Sequence, residues 1–90
     1  MDLWTERRIK GKILHKLVRK GKFEHSHTAV EHLQKGFPPD LRGKVKDIVT
    51  ELLKEGVLHL KKTSYGKHIS INLEQKEEIM HYIDEFLRML

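Results

Sequence analysis

The sequence predicts a small α+β domain covering residues 1–90: three helices, a β-hairpin and a closing fourth helix. Four segments carry apolar residues at the spacing of a helix that buries one side. Two short segments on either side of Tyr65-Gly66 alternate apolar and polar, as half-buried strands do. Gly21, Gly36 and Gly56 each follow a helical stretch and can stop it, Gly21 as a left-handed cap.

Taken in order, TERRIKGKILHKLVRK sets Ile9, Ile13, Leu14, Leu17 and Val18 on one arc, a helix over about residues 5–20. Arg8, Lys12, His15 and Arg19 fall opposite that arc as a basic stripe. Lys22, Phe23 and Glu24 fit a very short strand. In HSHTAVEHLQKG, Ser26 or Thr28 can cap a helix over about residues 27–35, with Glu31 completing a Thr-x-x-Glu box and Ala29, Val30 and Leu33 inward. The FPPD turn excludes a continuous helix. A third helix over about residues 40–55 then presents Leu41, Val45, Ile48, Val49, Leu52 and Leu53. VLHLK and HISINL read as a hairpin over about residues 57–73, with Leu58 and Leu60 opposite Ile69, Ile71 or Leu73. Asn72 can cap a last helix over about residues 74–89, with Gln75 at the capping-box position and Ile79, Ile83, Phe86, Leu87 and Leu90 on its inner side.

Charged residues make up 34% of the chain and hydrophobic ones 38%, so the core must come from periodic placement. No apolar run exceeds two residues, and MDLWTERRIK lacks the apolar centre of a secretory signal. There is no cysteine, hence no disulfide, thiol nucleophile or cysteine zinc site. These features lead us to expect a cytoplasmic protein with no membrane partner.

The net charge of +5 directs attention to polyanions, and its distribution is uneven. Residues 1–23 hold eight Lys and Arg against Asp2 and Glu6, whereas residues 74–90 hold Lys76 and Arg88 against five acids. Residues 57–73 carry Lys61, Lys62 and Lys67 with no acid at all. A turn needs its glycine, but it does not need three lysines.

With its order of helix, short strand, helix, tight turn, helix, hairpin, helix, the chain resembles the winged helix-turn-helix superfamily over nearly all its length. The run LLKEGVLHLKKTSYGKHISINL is similar to the stretch from third helix to wing in small archaeal-type winged-helix proteins. The resemblance implies a three-helix bundle with a β-hairpin wing, binding double-stranded DNA as a transcriptional regulator. The third helix would enter the major groove and the wing would lie on the sugar-phosphate backbone. On the wing it implies phosphate and sugar contacts from Lys61, Lys62, Thr63, Ser64, Tyr65, Lys67 and His68. On the third helix it implies base or backbone contacts from Arg42, Gly43, Lys44, Lys46 and Thr50. Arg42 or Lys46 would read guanine, Thr50 a thymine methyl, and Gly43 would let the backbone come close. Asp47 works against phosphate. Ser26, His27 and Thr28, at the expected start of the second helix, add a phosphate contact or simply cap.

Winged helices also serve as protein–protein interaction modules, and fold alone does not choose between the two roles. The broad apolar arc of the last helix suggests a homodimer through Met80, Tyr82, Ile83, Phe86 and Leu87, or else closes the monomer core with the help of Leu3 and Trp4. Seven histidines, among them His25, His27 and His32, raise the question of metal, but the spacing lacks thiols and a convergent face, so we expect no metal and no cofactor. With no Ser/His/acid grouping, phosphate-cradling glycine loop or inward carboxylate pair, the sequence points away from an enzyme.

Overall fold

The computed structural model describes residues 3–24 and 26–90. They form four α-helices and one antiparallel three-stranded sheet, in the order α1 (Glu6–Arg19), β1 (Thr28–Ala29), α2 (Val30–Gln34), α3 (Arg42–Lys54), β2 (Leu58–Thr63), β3 (Gly66–Ile71) and α4 (Lys76–Leu87). Single 3₁₀ turns, Pro39–Leu41 and Leu73–Gln75, lead into α3 and α4. No helix among the described residues is long and apolar enough to cross a membrane.

Local chemistry explains the boundaries. The Thr5 hydroxyl accepts the Arg8 N–H at 3.2 Å and opens α1. Gly21 closes it with φ +66°, as Gly56 closes α3 with φ +78°. Asn72 accepts the Glu74 N–H at 3.1 Å and donates to the Gly56 carbonyl at 2.8 Å, so one side chain starts the approach to α4 and ties it to the end of α3. The hairpin register sets Leu58 opposite Ile71 and Leu60 opposite Ile69, which keeps the apolar residues on one side as expected.

The core is a single cluster. α1 contributes Ile9, Ile13, Leu14 and Leu17, α3 contributes Val45, Ile48, Val49 and Leu52, the sheet Leu58, Ile69 and Ile71, and α4 Ile79, Tyr82 and Ile83. Each fully buried aliphatic side chain contributes about 1.5–3 kcal/mol, against roughly 0–1 kcal/mol for an exposed ion pair. The core therefore decides the fold, and surface charges can be placed for other ends.

α4 lies along α1, and Gly11 marks where they touch: a Cβ there would sit 2.1 Å from the Tyr82 carbonyl oxygen and 2.7 Å from Phe86 Cβ. Trp4 covers one end of the seam, its ring 5.4 Å from Phe37 and 6.4 Å from Phe86. Leu3, expected to pack beside it, is exposed.

Further local expectations are corrected. The strand expected at Lys22, Phe23 and Glu24 reduces to one bridge, Phe23 to Ile71, while the third strand of the sheet forms at Thr28–Ala29. The box of Thr28 and Glu31 does not form, because Thr28 is drawn into the sheet opposite Ile69 and the N-cap of α2 is Ala29, without a side-chain bond. Tyr82, Ile83 and Phe86, expected as dimer contacts, are 3%, 6% and 7% exposed, since α1 uses that arc to complete the core. Leu87 and Leu90, expected inward, remain open to solvent with Met80.

Candidate nucleic-acid interface

The sheet order β1-β3-β2 fixes β3 on both sides and leaves β2 at an edge. The base of the ribbon is tied down: Ile71 N–H donates to the Lys22 carbonyl at 2.8 Å, and Asn72 N–H to the Val57 carbonyl at 3.0 Å. Its far end is a two-residue loop, Ser64 and Tyr65, between the paired residues Thr63 and Gly66. Thr63 serves that loop, its hydroxyl donating to the Gly66 carbonyl at 3.0 Å and accepting the Tyr65 N–H at 3.1 Å. Tyr65 projects almost fully, 92% exposed, and Ser64, Lys61, Lys62 and Lys67 are exposed with it.

Strand pairing then decides where the cations point. Side chains alternate faces, so Lys62 and Lys67, directly paired, share the face of Leu60 and Ile69. Lys61 pairs with His68 on the opposite face. Like charges placed directly opposite each other destabilise an antiparallel pair. None of the ion pairs among the described residues includes Lys61, Lys62 or Lys67.

Across from that face lies α3. Arg42, Gly43, Lys44, Lys46 and Thr50 are all exposed. A groove of about 390 Å³ runs between α2, α3 and the ribbon, with Lys46, Thr50 and Lys67 on its walls and Val49, Leu53 and Leu60 along its floor. Among the described residues Glu31 is the one acid that borders it. Leu60 is 43% exposed into this space. Beside Gly43 nothing lies within 4 Å of where a Cβ would be, so the first turn of α3 is open to close approach. The Thr50 hydroxyl donates to the Lys46 carbonyl at 3.3 Å, which leaves its oxygen able to accept.

The third expected group behaves differently. Thr28 is buried, its hydroxyl 3.3 Å from His32 Nδ1, and Ser26 is half-buried, its N–H donating to the Phe23 carbonyl at 2.9 Å. α2 has only five residues, too short to gather a helix dipole for an anion. His27 sits on the outer face of the sheet with its Nδ1 2.8 Å from Nδ1 of His68. One of the two rings must be neutral at that nitrogen for the bond to exist. Partial burial lowers the His27 pKa from its ordinary value, with Lys61, His68 and Lys22 adding to the effect. Among the described residues no group of three or more His, Asp or Glu converges as a metal site, while His25 lies outside them.

The sequence reading missed the charge network on the other flank of the molecule. Lys10 Nζ lies 3.2 Å from Glu55 and 3.6 Å from Glu51, and the Tyr82 hydroxyl donates to Glu55 at 2.6 Å. Burial pulls the Lys10 ammonium down, but its bond to Glu55 and the charges of Tyr82, Glu55 and Glu51 more than offset this and leave its pKa raised. The one sequence signal was Gly11, a glycine inside a helix, which announces a close neighbour. Comparison with known protein families, with characterised proteins and with solved structures finds no match.

Proposed function

We propose that the chain is a winged helix-turn-helix protein that binds double-stranded DNA and acts in transcription regulation, with α3 toward the major groove and the β2–β3 ribbon as the wing on the phosphate backbone. The observation that carries this reading is the cross-strand pair of Lys62 and Lys67, on the same sheet face as Leu60 and without an acid partner. Directly opposed like charges destabilise an antiparallel pair, so this pair does not serve the stability of the ribbon. A polyanion supplies the missing charge, and the release of its condensed counterions makes the gain salt-dependent. Lys46 and Thr50 share the groove with Lys67, so one duplex can meet both elements.

The test is a mobility-shift titration on random duplex DNA across a salt series. Affinity falls steeply with salt, and replacing Lys61, Lys62 and Lys67 together by Ala lowers the slope of log affinity against log salt by about one for each phosphate no longer neutralised. Lys46→Ala instead changes the sequences selected from a random duplex pool. A triple variant that keeps both the slope and the affinity overturns the wing assignment.

One observation favours a protein–protein interaction module as the second reading: Val30, Val49, Leu53 and Leu60 give the same groove an apolar floor. Absence of duplex binding at low salt would favour it.

A further inference from the structure

A second cleft, sharing no residue with the first, opens at the C-terminal end of α1. It is a cleft open to solvent, of about 520 Å³, between α1, the loop after α2 and the end of α4, a size that small-ligand sites also have. Its walls are cationic: Lys12, Lys16, Arg19 and Lys20 line it, and no acid among the described residues does. Its apolar lining comes from an edge of the buried Phe86 ring, 7% exposed, and from Leu90, 84% exposed at the rim.

The two flanks of α1 are treated in opposite ways. Arg7 and Lys10 are matched by Glu85, Glu51 and Glu55, whereas none of the ion pairs among the described residues includes Lys12, Lys16, Arg19 or Lys20. Lys12 and Lys16 are held in place by backbone carbonyls, those of Gly36 and His32, the latter at 2.8 Å. Lys12 also lies over the Phe37 and Trp4 rings at 4.8 and 5.2 Å, so Lys16 is the held ammonium that meets neither a carboxylate nor a ring among the described residues. Burial, with the charges of Lys20, Lys12 and Lys35, pushes the Lys16 pKa below its ordinary value. His15 stands at the seam, its ring 5.8 Å from that of Phe86.

We propose that this cleft binds an amphipathic organic acid, its carboxylate among Lys16, Arg19 and Lys20 and its aliphatic or aromatic body on Phe86 and Leu90. The apolar lining selects this class over a phosphodiester backbone, which has cations to meet but no apolar body to bury. A ligand seated there touches α1, α4 and the α2–α3 loop together, which couples its presence to the seam that closes the core.

The probe is anilinonaphthalene sulfonate, an aromatic anion whose fluorescence rises in an apolar site, titrated into the whole chain, with decanoate and inorganic phosphate as competitors. One saturable site is expected, displaced by decanoate far better than by phosphate. Arg19→Gln with Lys20→Gln weakens it by about tenfold or more, the scale expected when two charge-assisted hydrogen bonds to the ligand are removed. These two side chains are exposed and make no ion pair among the described residues, and an unchanged thermal midpoint verifies that the variant is folded. Lys62→Ala with Lys67→Ala leaves the site intact, so failure here is distinct from failure of the DNA reading. The proposal is overturned by absence of saturable binding, by equal affinity in the Arg19 and Lys20 variant, or by displacement with phosphate or duplex DNA as effective as with decanoate.

Discussion

The α1–α4 seam and the α3–ribbon groove are built from the same materials and treat them differently. In the seam, backbones close to contact at Gly11, and the cations Arg7 and Lys10 meet carboxylates and lie over the Tyr82 ring at 4.7 and 5.4 Å. In the groove, Lys46 and Lys67, like Lys62 paired with Lys67 on the ribbon, have no carboxylate of the described residues within ion-pair reach, and Leu60 stays half in water. The lesson is that charge content alone is uninformative in a chain that is 34% charged. What separates a matched cation from an unmatched one is whether the fold brings an acid to it.

The contrast can be broken most severely at the seam. Gly11→Ala places a methyl 2.1 Å from a backbone oxygen that no rotamer change can move, so α4 must shift. A loss of about 3 kcal/mol, the upper range for overpacking, is expected in chemical denaturation; an unchanged midpoint would mean that the helices do not meet there. Next in size, Tyr82→Phe removes the hydroxyl bonded to Glu55 while keeping the ring in the core, and costs about 1.5 kcal/mol by the same measurement.

The groove sharpens the comparison in the opposite direction. Lys62→Glu places an acid across from Lys67, turning a repulsive pair into an attractive one. Stability should rise by about 0.2–1 kcal/mol while duplex binding falls, a separation that a purely structural ribbon would not show. The smallest effect concerns His27. Because its pKa is lowered on folding, the folded chain resists a proton that the unfolded chain accepts. Stability is therefore complete above the ordinary value of 6.5 and declines as pH drops below it. The melting temperature of His27→Gln should fall less over that interval; an identical profile would show that the His27–His68 bond does not report on folding.

Legibility followed the range of the interactions. The stripes of α1 and α3 are plain because Ile9, Ile13, Val45 and Leu52 repeat at helical spacing, and alternation at Leu58, Leu60, Ile69 and Ile71 gives the apolar face of the ribbon but not which residues pair across it. Thr28 misled because its capping chemistry is local, whereas the sheet that claimed it comes from residues about forty positions onward. The arc of α4 likewise said how much surface must be covered, not that α1 covers Tyr82, Ile83 and Phe86 while sparing Leu87. Of the candidate site, Lys61, Lys62 and Lys67 stood out by the absence of acids around them. That Lys62 and Lys67 face each other required the register, and that Glu55 joins Lys10 to Tyr82 required the three-dimensional fold.

The position of β2 gives the same lysines a further bearing. Among the described residues β2 pairs with β3 alone, so its other border offers a row of unmatched amide and carbonyl groups six residues long. Such a border invites a strand from another copy, and flanking ammonium groups are a common guard against that. Neutralising Lys61 and Lys62 thus removes a deterrent to edge-to-edge aggregation, so the guarding of this edge and the proposed contact with DNA rest on the same few side chains.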